Sequence, residues 1–213
     1  MSAGGGAKAV AQEPPKPQSD DRRERILEVA VDEFAQKGFA GARVDEIARN
    51  ARANKQLVYY YFGGKLGLYT AVLGRMIEGA QEKIEAESQK PTLKSKLQTM
   101  ASLSTQPNSV RWQRLLAWEA LDGSAEEMIR EEERRETWQR HVVNVEDAQA
   151  GGEVDPRLEP EMLALALVSV IISPYVLPQI TKLMTGLLPT DEEFRARQEA
   201  LLGELIDRLG PRA

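Results

Sequence analysis

Lys55 and Gln56 directly follow Asn54 in the stretch Asn54-Lys55-Gln56-Leu57-Val58-Tyr59-Tyr60-Tyr61-Phe62. Asparagine is a favoured helix N-cap, so these two long polar side chains fall in the first turn of a short helix. Side chains of this kind can read base edges: a lysine suits guanine N7 and O6, a glutamine adenine N6 and N7. Between positions 43 and 75 the basic residues are Arg43, Arg49, Arg52, Lys55, Lys65 and Arg75, against only Asp45 and Glu46. The net charge of −5 conceals this asymmetry, because residues 1–75 carry 12 Lys/Arg and 9 Asp/Glu while the remainder carries 16 and 24. Phosphate binding responds to the local field within about 8 Å at physiological salt, so the local balance outweighs the total.

Other chemistries find little support. With no cysteine, thiolate catalysis, disulfides and Cys-ligated zinc are excluded. His141 is the single histidine, with Trp138 three residues before it and Asn144 three after, so no Glu-x-x-His metal pair exists. The run Glu131-Glu132-Glu133 reads as a solvated helix face, and Gly4-Gly5-Gly6-Ala7-Lys8 lacks phosphate-loop spacing. Nucleophile-elbow and dinucleotide motifs are missing as well. The expectation is a non-enzyme with no metal and no cofactor. The N-terminus has no basic region followed by an apolar run, which points to a cytoplasmic protein.

The elements that must position these side chains are helical. Residues 1–18 are rich in Gly, Ala, Pro and Gln and read as a disordered tail, in which Lys8 and Lys16 are bystanders. Asp21-Arg22-Arg23-Glu24 has capping-box form, Ile26, Ala30 and Phe34 recur at helical spacing, and Gly38 closes that first helix. A short second helix carries Val44, Ile47 and Ala48, a turn of about four residues follows, and a third carries Leu57, Val58, Tyr61 and Phe62. This is helix-turn-helix anatomy. Three consecutive tyrosines span most of a helical turn: Tyr61, with Phe62, reads as core, Tyr59 and Tyr60 as outward-facing. A fourth helix runs unbroken from Lys65 towards Ser88, and others are readable at 92–104, 109–121, 125–149, 161–185 and 191–209. No segment alternates at period two. The expectation is an all-α chain of about nine helices: tail 1–18, helix-turn-helix domain 19–65, and an antiparallel helical body 66–213. The apolar run from Met162 to Leu177 is short for a membrane span and reads as a helix buried on all sides.

At residues 21–76 the chain resembles the TetR family of transcriptional regulators. The resemblance rests on Ile26-Leu27, Ala30 and Phe34, on Gly38-Phe39, on Ile47-Ala48, and on Tyr59-Tyr60-Tyr61-Phe62 followed by Lys65 and Leu68. It implies that the third helix is the recognition helix. Lys55 and Gln56, with Tyr60 beside them, take base-reading positions; Asn54, Tyr59 and Lys65 take phosphate-contacting ones. Three departures from the family pattern stand out. Arg52 replaces the usual turn glycine, so either the turn differs or Arg52 accepts strain and gains a phosphate. Arg43 replaces a capping threonine and can bind phosphate but not cap through an oxygen. Leu57 replaces a threonine and is either core or a contact to a thymine methyl group.

Beyond about residue 80 the resemblance is one of architecture. It implies a homodimer formed by the last two long helices, with Leu167, Ile171, Phe194, Leu201 and Leu205 as interface candidates. It also implies a site for a small, largely apolar ligand, with Trp112, Trp118, Met128, Trp138, His141 and Tyr175 as lining candidates. The expected function is a repressor released by that ligand from a pseudo-palindromic DNA operator, without membrane attachment. The competing readings are a helical adaptor that has lost DNA binding and a DNA-binding dimer with no ligand.

Overall fold

The computed structural model describes residues 18–123 and 128–211; the expected tail up to residue 17, with Lys8 and Lys16, and the start of the helix expected at 125 lie outside them. Among the described residues there are ten helices and no strand. Helix α1 (Gln18–Gly41) begins three residues before Asp21, which is therefore not its cap, and it turns sharply at Gly38 (φ 68°, ψ 178°). Helices α2 (Val44–Asn50) and α3 (Lys55–Phe62) form the helix-turn-helix, and α4 (Lys65–Ser88) runs unbroken for 24 residues. The body continues with α5 (Leu93–Ser104), α6 (Pro107–Asp122) and α7 (Glu131–Ala150). It ends with α8 (Pro160–Val176), α9 (Pro178–Thr185) and α10 (Glu192–Arg208).

The helix expected over 161–185 is two helices bent by 95°. The cause is Pro178, which lacks an N–H and pushes Leu177 out of the helical region (φ −121°, ψ 59°). Pro174, the more obvious interruption, is accommodated inside α8. Among the described residues no single helix is long and apolar enough to cross a membrane.

Two apolar cores organise the chain. The first joins Ile26, Phe34, Ile47, Val58, Leu68 and Leu73 across α1–α4 and takes in Trp112 and Leu115 of α6. It runs past residue 65, so the helix-turn-helix rests on α4 and α6 directly. The second gathers Leu97, Val145, Leu167, Ile171, Leu202 and Ile206 from α5, α7, α8 and α10.

Ion pairs tie α1 to the body. Arg75 of α4 pairs with Glu24 and Glu28, and Arg111 of α6 pairs with Asp32 at 2.7 Å and Glu28 at 3.5 Å. Arg75, counted among the basic residues of the N-terminal part, thus serves this junction. The ring of Trp118 packs against the turn at Gly38, where an added Cβ would lie 2.9 Å from Trp118 Cδ2. Phe34, Phe39 and Tyr69 complete the seam, with Tyr69 5.0 and 5.1 Å from the other two ring centroids. Burial there, with the nearby Glu119 carboxylate, pushes the Tyr69 phenol well above its ordinary pKa.

Candidate functional site

The helix-turn-helix is built from short-range interactions. Ile47, Ala48 and Ala51 are buried, and the small alanines let α2 and α3 approach. Arg43 is the N-cap of α2 and makes no side-chain cap bond. Its N–H instead donates to Glu33 Oε1 at 3.3 Å, a carboxylate that α1 places at the N-terminal end of α2. Lys37 bridges Glu33 at 2.9 Å and Glu46 at 2.5 Å, which fixes α2 against α1 and holds the Glu46 carboxyl below its ordinary pKa.

Helix α2 closes in a Schellman motif: Arg52 N–H donates to Arg49 O at 3.1 Å and Ala53 N–H to Ala48 O at 2.9 Å. That motif needs a left-handed residue, and Arg52 supplies it at φ 52°. The turn therefore keeps its geometry with arginine in the glycine position. A left-handed conformation costs an L-residue about 1–2 kcal/mol. Arg52→Gly should raise unfolding stability by about 1 kcal/mol in urea titrations while weakening DNA binding. If stability falls, strain at Arg52 is excluded.

Asn54 caps α3, its Oδ1 accepting the Leu57 N–H at 2.9 Å. The cap aims the first turn of α3 outward and leaves Lys55 and Gln56 exposed. Lys55 Nζ lies 2.9 Å from Asp45 Oδ1 on α2, and this bond raises the lysine pKa. Asp45 is a partner that residue patterns did not single out, although it stands ten positions before Lys55 on the facing helix. Tyr59 and Tyr60 are 52% and 79% exposed, whereas Tyr61 and Phe62 pack on the first core, as does Leu57. Lys65 opens α4, with its ammonium donating to Ala40 O at 3.1 Å and lying 4.9 Å from the Phe39 ring centroid. Arg43, Arg52, Asn54, Lys55, Gln56, Tyr59 and Tyr60 are exposed and Lys65 half-buried, on consecutive elements of one end of the molecule.

The six residues expected to line one ligand site are divided. Trp118 and Met128 line a cavity of about 460 Å³ among α1, α4, α6 and α7, beside Phe39 and Tyr69. Its floor carries Arg134, which pairs with Glu119 through two bonds of 3.1 and 2.8 Å. Trp112, Trp138 and His141 line a second, central cavity of about 80 Å³ among α4, α5, α6, α7 and α8. Tyr175 is buried but lines neither.

The central cavity also has polar walls. Glu87 is 3% exposed, accepts from Asn144 Nδ2 at 3.3 Å and lies 3.5 Å from His141 Nδ1; Lys96 Nζ donates to Asn144 Oδ1 at 2.7 Å. A readable signal for this cluster existed: His141 and Asn144 stand on the same stripe of α7 as the buried Val145 and Ala148. Among the described residues no cluster of side chains could hold a metal ion.

The five interface candidates fall in different environments. Leu167 and Ile171 are buried within the protomer's own second core, and Phe194 is buried too. Leu205 is half-buried, and Leu201 alone of the five is exposed. Helix α8 is apolar on every side, so periodicity could not separate its inner from its outer face. Its large exposed apolar residues are Met162 and Leu165, continued by Leu177, Ile180, Leu183 and Met184 at and beyond the bend.

Comparison with known proteins agrees with this anatomy. Residues 26–72 match the family described as bacterial regulatory proteins, tetR family, and residues 98–208 match the tetracyclin repressor-like C-terminal domain. The chain is 35% identical over 164 residues to the HTH-type transcriptional repressor SCO4008 of Streptomyces coelicolor, covering 76% of this chain and 82% of that protein. It is 43% identical over 56 residues to the repressor NicS of Pseudomonas putida, covering 26% of each. Among solved structures, the putative transcriptional regulator SCO4942 of Streptomyces coelicolor superposes with a TM-score of 0.67 at 26% identity, over 90% of this chain and 99% of that one. The Bacillus subtilis regulator FadR, solved with stearoyl-CoA, shares the fold at a TM-score of 0.64 and 19% identity, over 86% of this chain and 96% of that one. The helix-turn-helix with its capped α3, the matches to both halves and the relative matched over 76% of this chain together place it in the tetR family of bacterial regulatory proteins, as a DNA-binding transcriptional regulator.

Proposed function

We propose that this regulator is a cytoplasmic repressor that binds a pseudo-palindromic duplex as a homodimer and leaves it when a small, largely apolar ligand enters the body. The observation that carries the DNA reading is the outward first turn of α3, capped by Asn54 and flanked by exposed basic residues. Lys55 and Gln56 reach base edges in the major groove with Tyr60 beside them. Arg43, Arg52, Asn54, Tyr59 and Lys65 hold phosphates on either side, and the N-terminus of α4 adds backbone N–H groups. Lys55 exchanges Asp45 for DNA when it docks. The exposed apolar residues of α8, with Leu201 of α10, meet the same surface of a second copy. The central cavity, bounded by five helices and opening beside α4, takes the ligand.

Alanine substitutions separate reading from positioning. Lys55→Ala and Gln56→Ala should each relax preference at particular base positions by about 1–3 kcal/mol. Lys65→Ala should weaken binding to all sequences alike and flatten the salt slope, since a phosphate contact carries no base information. Because Lys65 Nζ also donates to Ala40 O, unfolding of that variant is measured alongside. Altered base preference in Lys65→Ala, with none in the other two, would overturn the assignment of roles along α3.

A further inference from the structure

We infer that the central cavity takes a ligand carrying a positively charged, N–H-bearing nitrogen on an apolar, aromatic body. This rests on the reading of that cavity as the ligand site and adds the chemistry it selects. The cavity of about 80 Å³ shares Lys83, Ser109 and Trp112 with a groove of about 570 Å³ between α4 and α6. A ligand can therefore place a compact head inside and a larger body in the groove.

The head must donate hydrogen bonds. Gln113 lines the cavity, is 3% exposed, and its Oε1 is a buried acceptor without a partner among the described residues. Its orientation is fixed because Nε2 donates to Ser104 O at 3.3 Å, and turning the amide over would set two oxygens against each other. A buried acceptor left unsatisfied is costly, so a donor from the ligand is favoured there.

Charge points the same way. Glu87 lines the same cavity, and its contacts with Asn144 and His141 both fall on Oε1. Of the buried cations, Lys96 is committed to Asn144 Oδ1 and Arg134 to Glu119, and neither lines the cavity. Lys83, at the mouth, donates to Ser109 Oγ at 2.6 Å, and burial lowers its pKa. Beside Glu87 and Gln113, away from the lysine at the mouth, an anionic head would meet a carboxylate and an acceptor oxygen, whereas an ammonium meets two acceptors. The walls add aromatic faces, which attract cations. Trp112 already carries the Arg134 guanidinium 5.5 Å from its ring centroid, and Trp138 lies 5.7 Å from the His141 ring.

The test uses the full chain and two matched pairs of probes: 1-pyrenemethylamine against 1-pyrenecarboxylate, and dodecylamine against dodecanoate. Binding is read by tryptophan quenching and by release of the protein from a selected operator duplex. The ammonium of at least one pair should bind tenfold or more tighter than its carboxylate and should release the DNA. Glu87→Gln should remove that preference, Glu87→Asp should restore it, and Gln113→Leu should weaken the ammonium several-fold without strengthening the carboxylate. Carboxylates that bind as tightly as the ammonium probes, or ammonium binding indifferent to Glu87→Gln and Gln113→Leu, would overturn the charge assignment and leave the cavity as a ligand site. Failure of all four probes to quench or to release DNA would overturn the cavity reading itself, and this inference with it.

Discussion

Gly38→Val should destabilise the protein by about 2–6 kcal/mol, the sum of a backbone strain of about 1–3 kcal/mol and an overpacking cost of similar size. Gly38 sits at φ 68° and ψ 178°, a region open essentially to glycine alone, and its missing Cβ makes room for Trp118. Trp118 borders the cavity of about 460 Å³ beside Phe39 and Tyr69, so a shift of its ring into that space can relieve part of the overpacking but none of the backbone strain. A domain has only about 5–15 kcal/mol of stability in total, so this substitution alone removes a large fraction of it. Urea denaturation measures the loss. Gly79→Ala is the matched control: an added Cβ meets nothing within 4 Å and the position is helical, so stability should rise by up to about 1 kcal/mol. Equal effects of the two would show that the seam between Gly38 and Trp118 does not hold the helix-turn-helix to the body.

Leu165→Arg should convert the protein to a monomer and lower operator affinity at least a hundredfold. Leu165 is exposed on the outer face of α8 and makes no part of either core. In the proposed dimer an arginine there would bury a charge against its own copy across the two-fold axis, without a counter-ion. Each half-site would then be bound alone, and the gain from holding two recognition helices on one duplex would vanish. Ile171→Ala is the contrasting change. Ile171 lies wholly inside the protomer, so the expected result is a stability loss of about 2–5 kcal/mol with the folded fraction still dimeric. Sedimentation of both variants decides the matter; a dimeric Leu165→Arg protein would place the interface elsewhere.

How much of this was legible in the sequence depends on the range of the interactions involved. The helix-turn-helix was readable because its devices are local: Asn54 caps three residues ahead, Gly63 closes α3 in a left-handed conformation, and the buried residues of α1 and α2 recur at helical spacing. Arg52 could be flagged from sequence as a residue in a glycine position, but only the backbone shows that the turn keeps its shape and the arginine adopts φ 52°. The fourth helix was legible as continuous. The bend between α8 and α9 was missed, because Pro174 and Pro178 look alike in sequence while only the latter coincides with the break. The ligand-site candidates were chosen for size and polarizability, properties that say nothing about which helices meet. Thus Trp118 and Trp112 fall on different cavities although six residues apart on α6. Asn144 could have been found from its place on the buried stripe of α7, whereas Glu87 and Gln113 declare themselves only when the facing helices are known.

The continuity of α4 suggests how the two halves communicate. Its N-terminal turns belong to the core of the helix-turn-helix, and its C-terminal turns supply Lys83, Ile84 and Glu87 to the central cavity. We propose that a ligand inserted among these helices tilts α4 and so alters the separation of the paired recognition helices, which must stay near one DNA turn, about 34–36 Å. The shift cannot exceed the ligand's differential affinity for the two states, and DNA must weaken ligand binding by the same factor.

The central claim is that α3 reads a two-fold-symmetric sequence, and selection of bound duplexes from a random pool tests it most directly. The enriched sequences should contain inverted half-sites with centres about 10–10.5 base pairs or a multiple apart, and the Lys55→Ala protein should lose enrichment at defined positions within each half. Enrichment of sequences without inverted symmetry, or of none at all under salt conditions where the protein is folded, would contradict the account.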